Sequence, residues 1–119
     1  MSTTPSAADR SVRRYTASHL NLTNELFDLV LTGTKTSTIR LGLVFVANEY
    51  LTLRAGGRTL TVRILAVDYS KTFGSLTEAD AQQDGFGSIT ELKDTIKQFY
   101  PQITDQDRIT ILRFVKAGN

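Results

Sequence analysis

Residues 50–68, YLTLRAGGRTLTVRILAVD, decide the fold. Gly56-Gly57 in their middle is a two-residue hairpin signal. On either side lie two extended runs, 50–55 and 58–68. In the second run Leu60, Val62 and Ile64 alternate with Thr59, Thr61 and Arg63, which predicts one buried face.

Working outward, residues 24–32 read as a helix that Thr23 or Asn24 caps. Leu26, Phe27, Val30 and Leu31 share one face of it, and Gly33 ends it. Beyond the hairpin, Thr77-Glu78-Ala79-Asp80 opens a short helix that Asp84-Gly85-Phe86-Gly87 breaks. Ser88-Ile89-Thr90-Glu91 reads as a capping box, Ser88 and Glu91 each satisfying the other's backbone. The helix it starts carries Ile89, Leu92, Ile96 and Phe99 on one face and stops at Tyr100-Pro101. Residues 108–115, with Ile109, Ile111 and either Arg113 or Phe114 in alternation, read as a closing strand. The order is strand, helix, a run of strands, two helices, strand. It lacks the regular alternation of a parallel α/β sheet. It suits an α+β domain: a small antiparallel β-barrel with covering helices.

The composition bounds the chemistry. The chain's 119 residues fit one domain, and 40% hydrophobic content supports a core. Residues 1–17, rich in Ser, Thr, Ala and Arg, are expected to be a flexible tail, with the domain at 18–119. There is no cysteine, which excludes disulfides, thiol catalysis and cysteine zinc sites. The single histidine, His19, cannot form a histidine-rich metal site and is read as a strand or surface residue. No apolar run approaches the roughly 20 residues that span a bilayer, and the start of the chain has no apolar signal core. A cytoplasmic protein without metal or organic cofactor is the resulting expectation. The net charge of +2 does not demand nucleic acid. Its basic residues Arg40, Arg54, Arg58 and Arg63 nevertheless fall together in the middle of the chain, where they would form a positive face for phosphates.

The densest polar stretch is Gly33-Thr34-Lys35-Thr36-Ser37-Thr38-Ile39-Arg40. Buried hydroxyls and amines need partners, and loops on a rigid scaffold carry function. Placed after a helix and before the strands, this segment falls near a barrel mouth, where small-ligand clefts form. Lys35 and Thr38 are three residues apart, so they converge only if the chain turns between them.

The segments LVLTGTKTSTIR (29–40), LTEADAQQDGFGSITELKDTIKQFYP (76–101) and ITILRFV (109–115) resemble ASCH-domain proteins, and the likeness spans residues 19–115. Within that group the sequence is most similar to the small bacterial N(4)-acetylcytidine amidohydrolases. The resemblance implies a PUA-like β-barrel. It also implies a catalytic lysine, threonine and carboxylate. The first two match Lys35 and Thr38, and the carboxylate falls at Asp84, where the family has glutamate. Arg40, Ser37 and Thr36, in the same polar segment, are the candidate substrate-binding residues. The expected activity is removal of an acyl group from N(4)-acetylcytidine or a related nucleoside.

Two arrangements would perform it. In one, Thr38 attacks the acetyl carbonyl with Lys35 as base and Asp84 orienting the lysine or serving the leaving amine. In the other, Asp84 activates a water while Lys35 and Thr38 donate to the oxyanion. The alternative function is an RNA-binding module on the central arginines, or a ribonuclease using Lys35 and Asp84.

Overall fold

The hairpin forms where Gly56-Gly57 places it. In the computed structural model, which describes residues 14–117, Ala55 pairs with Arg58 across the turn. The elements are β1 (Arg14–Ala17), β2 (His19–Asn21), α1 (Asn24–Leu31), β3 (Ser37–Leu41), β4 (Leu43–Val46), β5 (Tyr50–Ala55), β6 (Arg58–Asp68), a 3-10 turn (Phe73–Ser75), α2 (Glu78–Gln83), α3 (Ile89–Phe99) and β7 (Ile109–Lys116). Of the segment expected to be a tail, residues 1–13 lie outside the described residues, and residues 14–17 are strand β1. His19 is exposed, in β2.

Five strands form one curled sheet in the order β2-β5-β6-β7-β3, and β1 pairs with β4 in parallel. Single residues, Ser18 and Gly42, separate β1 from β2 and β3 from β4. The β1–β4 pair therefore continues the two outer strands of the sheet and joins them, giving the half-barrel its curl. Gly42 makes its corner with φ of 86°, a region that side-chain-bearing residues avoid. The corner is clamped by the buried Thr110. Its hydroxyl donates to the Gly42 carbonyl (2.6 Å) and accepts from the Val44 N–H (3.1 Å).

Thr23 caps α1 by accepting from the Leu26 N–H. The helix buries Phe27 and Val30, whereas Leu31 is exposed, so the buried stripe is narrower than expected. Ser88 caps α3, but the capping box is not reciprocal: the Glu91 carboxylate accepts from the Gly87 N–H, one residue beyond the cap.

The final strand differs most from expectation. Last in the chain as expected, it lies inside the sheet, between β6 and β3. Leu112 and Phe114 join a core with Phe27, Val30, Leu51, Leu53 and Val62. Ile109 and Ile111 join a second core with Phe73, Leu76, Leu92 and Ile96 under α2 and α3. Burial on both faces removes the alternation that marks a one-sided strand.

Replacing Thr110 by Val keeps the volume and removes the clamp. The Gly42 carbonyl and the Val44 N–H then lose their buried partner, at a cost of about 2–4 kcal/mol for the two groups. The urea midpoint of Thr110→Val is expected to fall correspondingly with an unchanged slope; an unchanged midpoint would show that the corner holds without the hydroxyl.

Candidate functional site

Three local structures bring the polar segment together. After α1, Gly33 turns the chain, and the Lys35 N–H bonds to the Leu29 carbonyl (3.0 Å). Lys35 thus sits in a turn before β3, which is how it comes to share a cavity with Thr38. The Thr36 N–H and hydroxyl both bond the Gln83 carbonyl, tying this turn to the end of α2. At that end the chain closes with paired terminal hydrogen bonds, Gly85 N–H to Gln82 and Phe86 N–H to Ala81, the arrangement that needs a left-handed residue. Gly85 supplies it with φ of 93°. A Cβ there would also stand 3.2 Å from the Lys35 Cβ and 3.1 Å from the Leu29 side chain. Only glycine meets both demands, and Asp84, just before it, is turned inward.

The result is a buried ion pair. The Lys35 Nζ lies 2.9 Å from Asp84 Oδ1 and also donates to the Asp84 carbonyl (3.2 Å). The two side chains are 1% and 6% exposed. Ser37 donates its hydroxyl to the same Oδ1 (3.1 Å). Burial pushes the Lys35 amine below its ordinary range; Asp84 opposes this, and the positive charge of Arg40 adds to it. Burial likewise pushes the Asp84 carboxyl up, against the pull of Lys35, Ser37 and Arg40. Both shifts have the same cause and the same sense: each group is moved toward its neutral form.

The pair opens onto a cavity of about 420 Å³, within the size range of small-molecule sites. Thr38 and Arg40 line it with Lys35 and Asp84. Thr38 stands in the wall outside the Lys35–Asp84–Ser37 hydrogen-bond set. Arg40 donates through Nη2 to the Asn21 carbonyl (2.7 Å).

The structure therefore brings Lys35, Thr38, Asp84 and Arg40 to one cavity. It leaves two expected ligand contacts outside. Ser37 is fully buried behind the carboxylate it holds, because on β3 it points away from Thr38. Thr36 is exposed and bound to α2. The other acids of this region carry structural tasks. Asp80 caps α2 in a reciprocal box with Thr77 and binds Lys71 (2.6 Å), and Glu78 accepts from the Ile89 N–H. Among the described residues no cluster of three or more His, Asp or Glu side chains is placed to hold a metal.

The aromatic wall was not legible as such. Tyr50, Tyr69 and Phe73 do not line the cavity. Phe73 is core, and Tyr69 stacks on Phe45 and bonds the Val44 carbonyl. Phe86, Phe99 and Tyr100 line it instead. Their signal was positional: they flank α3 at both ends.

A buried ion pair contributes little stability against an apolar replacement, but breaking it leaves a stranded charge. Lys35→Met is expected to cost about 3–5 kcal/mol at neutral pH. Without its ammonium, Asp84 has a folded-state pKa above its unfolded value. The folded state then holds the proton more tightly, so stability is greatest in acid and falls as pH rises through that raised pKa. Lys35→Met/Asp84→Leu should recover most of the loss and remove this contribution to the pH dependence. Urea unfolding of both variants across pH checks this; equal stability of the single variant at all pH values would contradict the buried-charge account.

No protein-family model matches the chain, and no curated protein does. Solved structures do match its fold. An ASCH domain from Lactobacillus crispatus superposes with a TM-score of 0.69 at 14% identity, over 90% of this chain and 82% of that one. Protein EF3133 from Enterococcus faecalis, of family DUF984, gives 0.67 at 20% identity, over 79% and 68%. Hypothetical protein PH0355 gives 0.62 at 17% identity, over 86% and 99%. The curled five-stranded sheet with its helices is thus an α+β PUA-like fold of the kind found in ASCH domains.

Proposed function

We propose that the cavity is the active site of an amide hydrolase that removes the acyl group from N(4)-acetylcytidine or a related modified nucleoside. The observation that carries this reading is the buried Lys35–Asp84 pair, 2.9 Å apart, opening with Thr38 onto the cavity. The likeness of the Lys35–Thr38 segment to that of the amidohydrolases supports it.

Moving a proton from the ammonium to the carboxylate across this contact gives a neutral amine and a neutral acid, with no change in net charge. Both shifts described above favour that exchange. The amine then accepts the proton of the Thr38 hydroxyl as its oxygen attacks the acyl carbon. The C–N bond breaks, the protonated site supplies a proton to the leaving amine, and an acyl ester remains on Thr38. Water hydrolyses that ester, releasing the carboxylic acid and restoring the hydroxyl. Ser37 acts here as a positioning residue, holding Asp84 toward Lys35.

The RNA-binding alternative rests on the central arginines. Arg58 is held by Asp28 (2.7 Å) over the Phe27 ring, Arg63 faces Glu49 (3.6 Å), and Arg40 turns into the cavity. This dispersal favours the enzyme reading.

Purified protein is expected to hydrolyse N(4)-acetylcytidine, followed by its ultraviolet absorbance. Lys35→Ala and Thr38→Ala should each lose about 10²-fold or more in kcat, while Thr38→Ser retains part of it. No turnover, or a Lys35→Ala variant as fast as the parent, would reject the reading.

The pH profile gives a second check. The exchanged pair is the minor form at neutral pH, so the rate should rise with pH as the pair loses its shared proton and leaves Lys35 neutral, and level off below the ordinary lysine value of 10.5. Asp84→Asn removes the charge that holds that proton on. The residual activity of this variant should therefore have its limb at lower pH. A limb moved upward would exclude Lys35 as the base.

A further inference from the structure

We infer that the cavity takes an anionic nucleotide, its phosphate bound by Arg40, in preference to the neutral nucleoside. The inference rests on the proposed activity for the acylated base, but not for the anion.

It follows from the charges in the cavity wall. The charged residues there are Lys35, Asp84 and Arg40. Lys35 and Asp84 neutralise each other at 2.9 Å. Arg40 forms no ion pair among the described residues; its protein acceptor is the neutral Asn21 carbonyl. Its guanidinium is a cation, so the wall carries one uncompensated positive charge. It has five N–H donors in a planar fork, and the Asn21 bond uses one. The rest suit two oxygens of an oxyanion. The Asn21 contact also fixes the fork against the β2–α1 junction before a ligand arrives, which lowers the ordering cost of binding.

The other half of the ligand is read from the wall that α3 provides. Phe86 and Tyr100 line the cavity, as does Phe99, which remains 53% exposed. A large aromatic side chain left to water at a cavity rim offers a face for a flat ring. A ring and an anion joined in one small molecule describe a nucleoside monophosphate. Cytidine lacks the charge, and inorganic phosphate lacks the ring.

Calorimetric titration of the full chain with cytidine 5′-monophosphate, cytidine and inorganic phosphate tests this directly. One charged hydrogen-bonded contact corresponds to roughly a tenfold to hundredfold gain in affinity. The monophosphate should exceed both other ligands by that factor. Arg40→Gln should reduce the monophosphate-to-cytidine ratio to about one, Arg40→Lys should keep part of it, and added salt should narrow it. Equal binding of monophosphate and cytidine, a preference that survives Arg40→Gln, or inorganic phosphate binding as well as the monophosphate would each overturn the inference. The two readings fail separately. If the monophosphate binds through Arg40 but neither acetylated cytidine nor its monophosphate is hydrolysed, the inference stands and the activity falls. If acetylcytidine is hydrolysed and the monophosphate has no advantage, the reverse holds.

Discussion

A buried ammonium group needs acceptors, and this requirement organises the middle of the molecule. Lys35 finds both of its acceptors on Asp84, 49 residues further along the chain. For them to meet, the turn after α1 must lie against the end of α2. The Thr36–Gln83 hydrogen bonds and the tight packing of Gly85 on Lys35 are the means. The desolvation of two charges is costly, and their mutual attraction offsets it only with good geometry. A second donor to the carboxylate, Ser37, completes that geometry from the protein side. The arrangement is expensive for mere stability and well suited to moving a proton.

The division of labour among the acids supports this view. Asp80 and Glu78 are bound to backbone N–H groups, where their charge stabilises helix starts. Asp84 is on the opposite end of α2, where a negative charge meets the wrong end of the helix dipole. Its position there is explained by Lys35 and the cavity, not by the helix.

Much of this was legible in residues 24–100, where local chemistry decides local form. Gly56-Gly57 set the hairpin, Thr23 and Ser88 set helix starts, and Gly33 and Gly85 set helix ends. Lys35, Thr38 and Asp84 were found together because a family likeness linked segments that no periodicity connects. What sequence reasoning missed depends on tertiary placement. Ser37 was taken for a ligand contact, but the alternation of β3 puts it behind the carboxylate. Phe99 was assigned to the buried face of α3, but that face runs past the core and ends at the cavity rim. The interior place of β7 leaves no pattern, since both of its faces are apolar.

That placement of β7 bears on how the chain is made. This interior strand, which joins β6 to β3, is the last of the described strands to leave the ribosome. Until it does, β6 and β3 present open edges and two half-built cores face water. Exposed strand edges invite pairing with other chains. Early hairpin formation by β5 and β6 does not relieve this, because the missing partner is distant in sequence. Synthesis of this domain thus passes through an interval in which it has most of its residues and little of its protection, and in which chaperone capture or mispairing competes with folding.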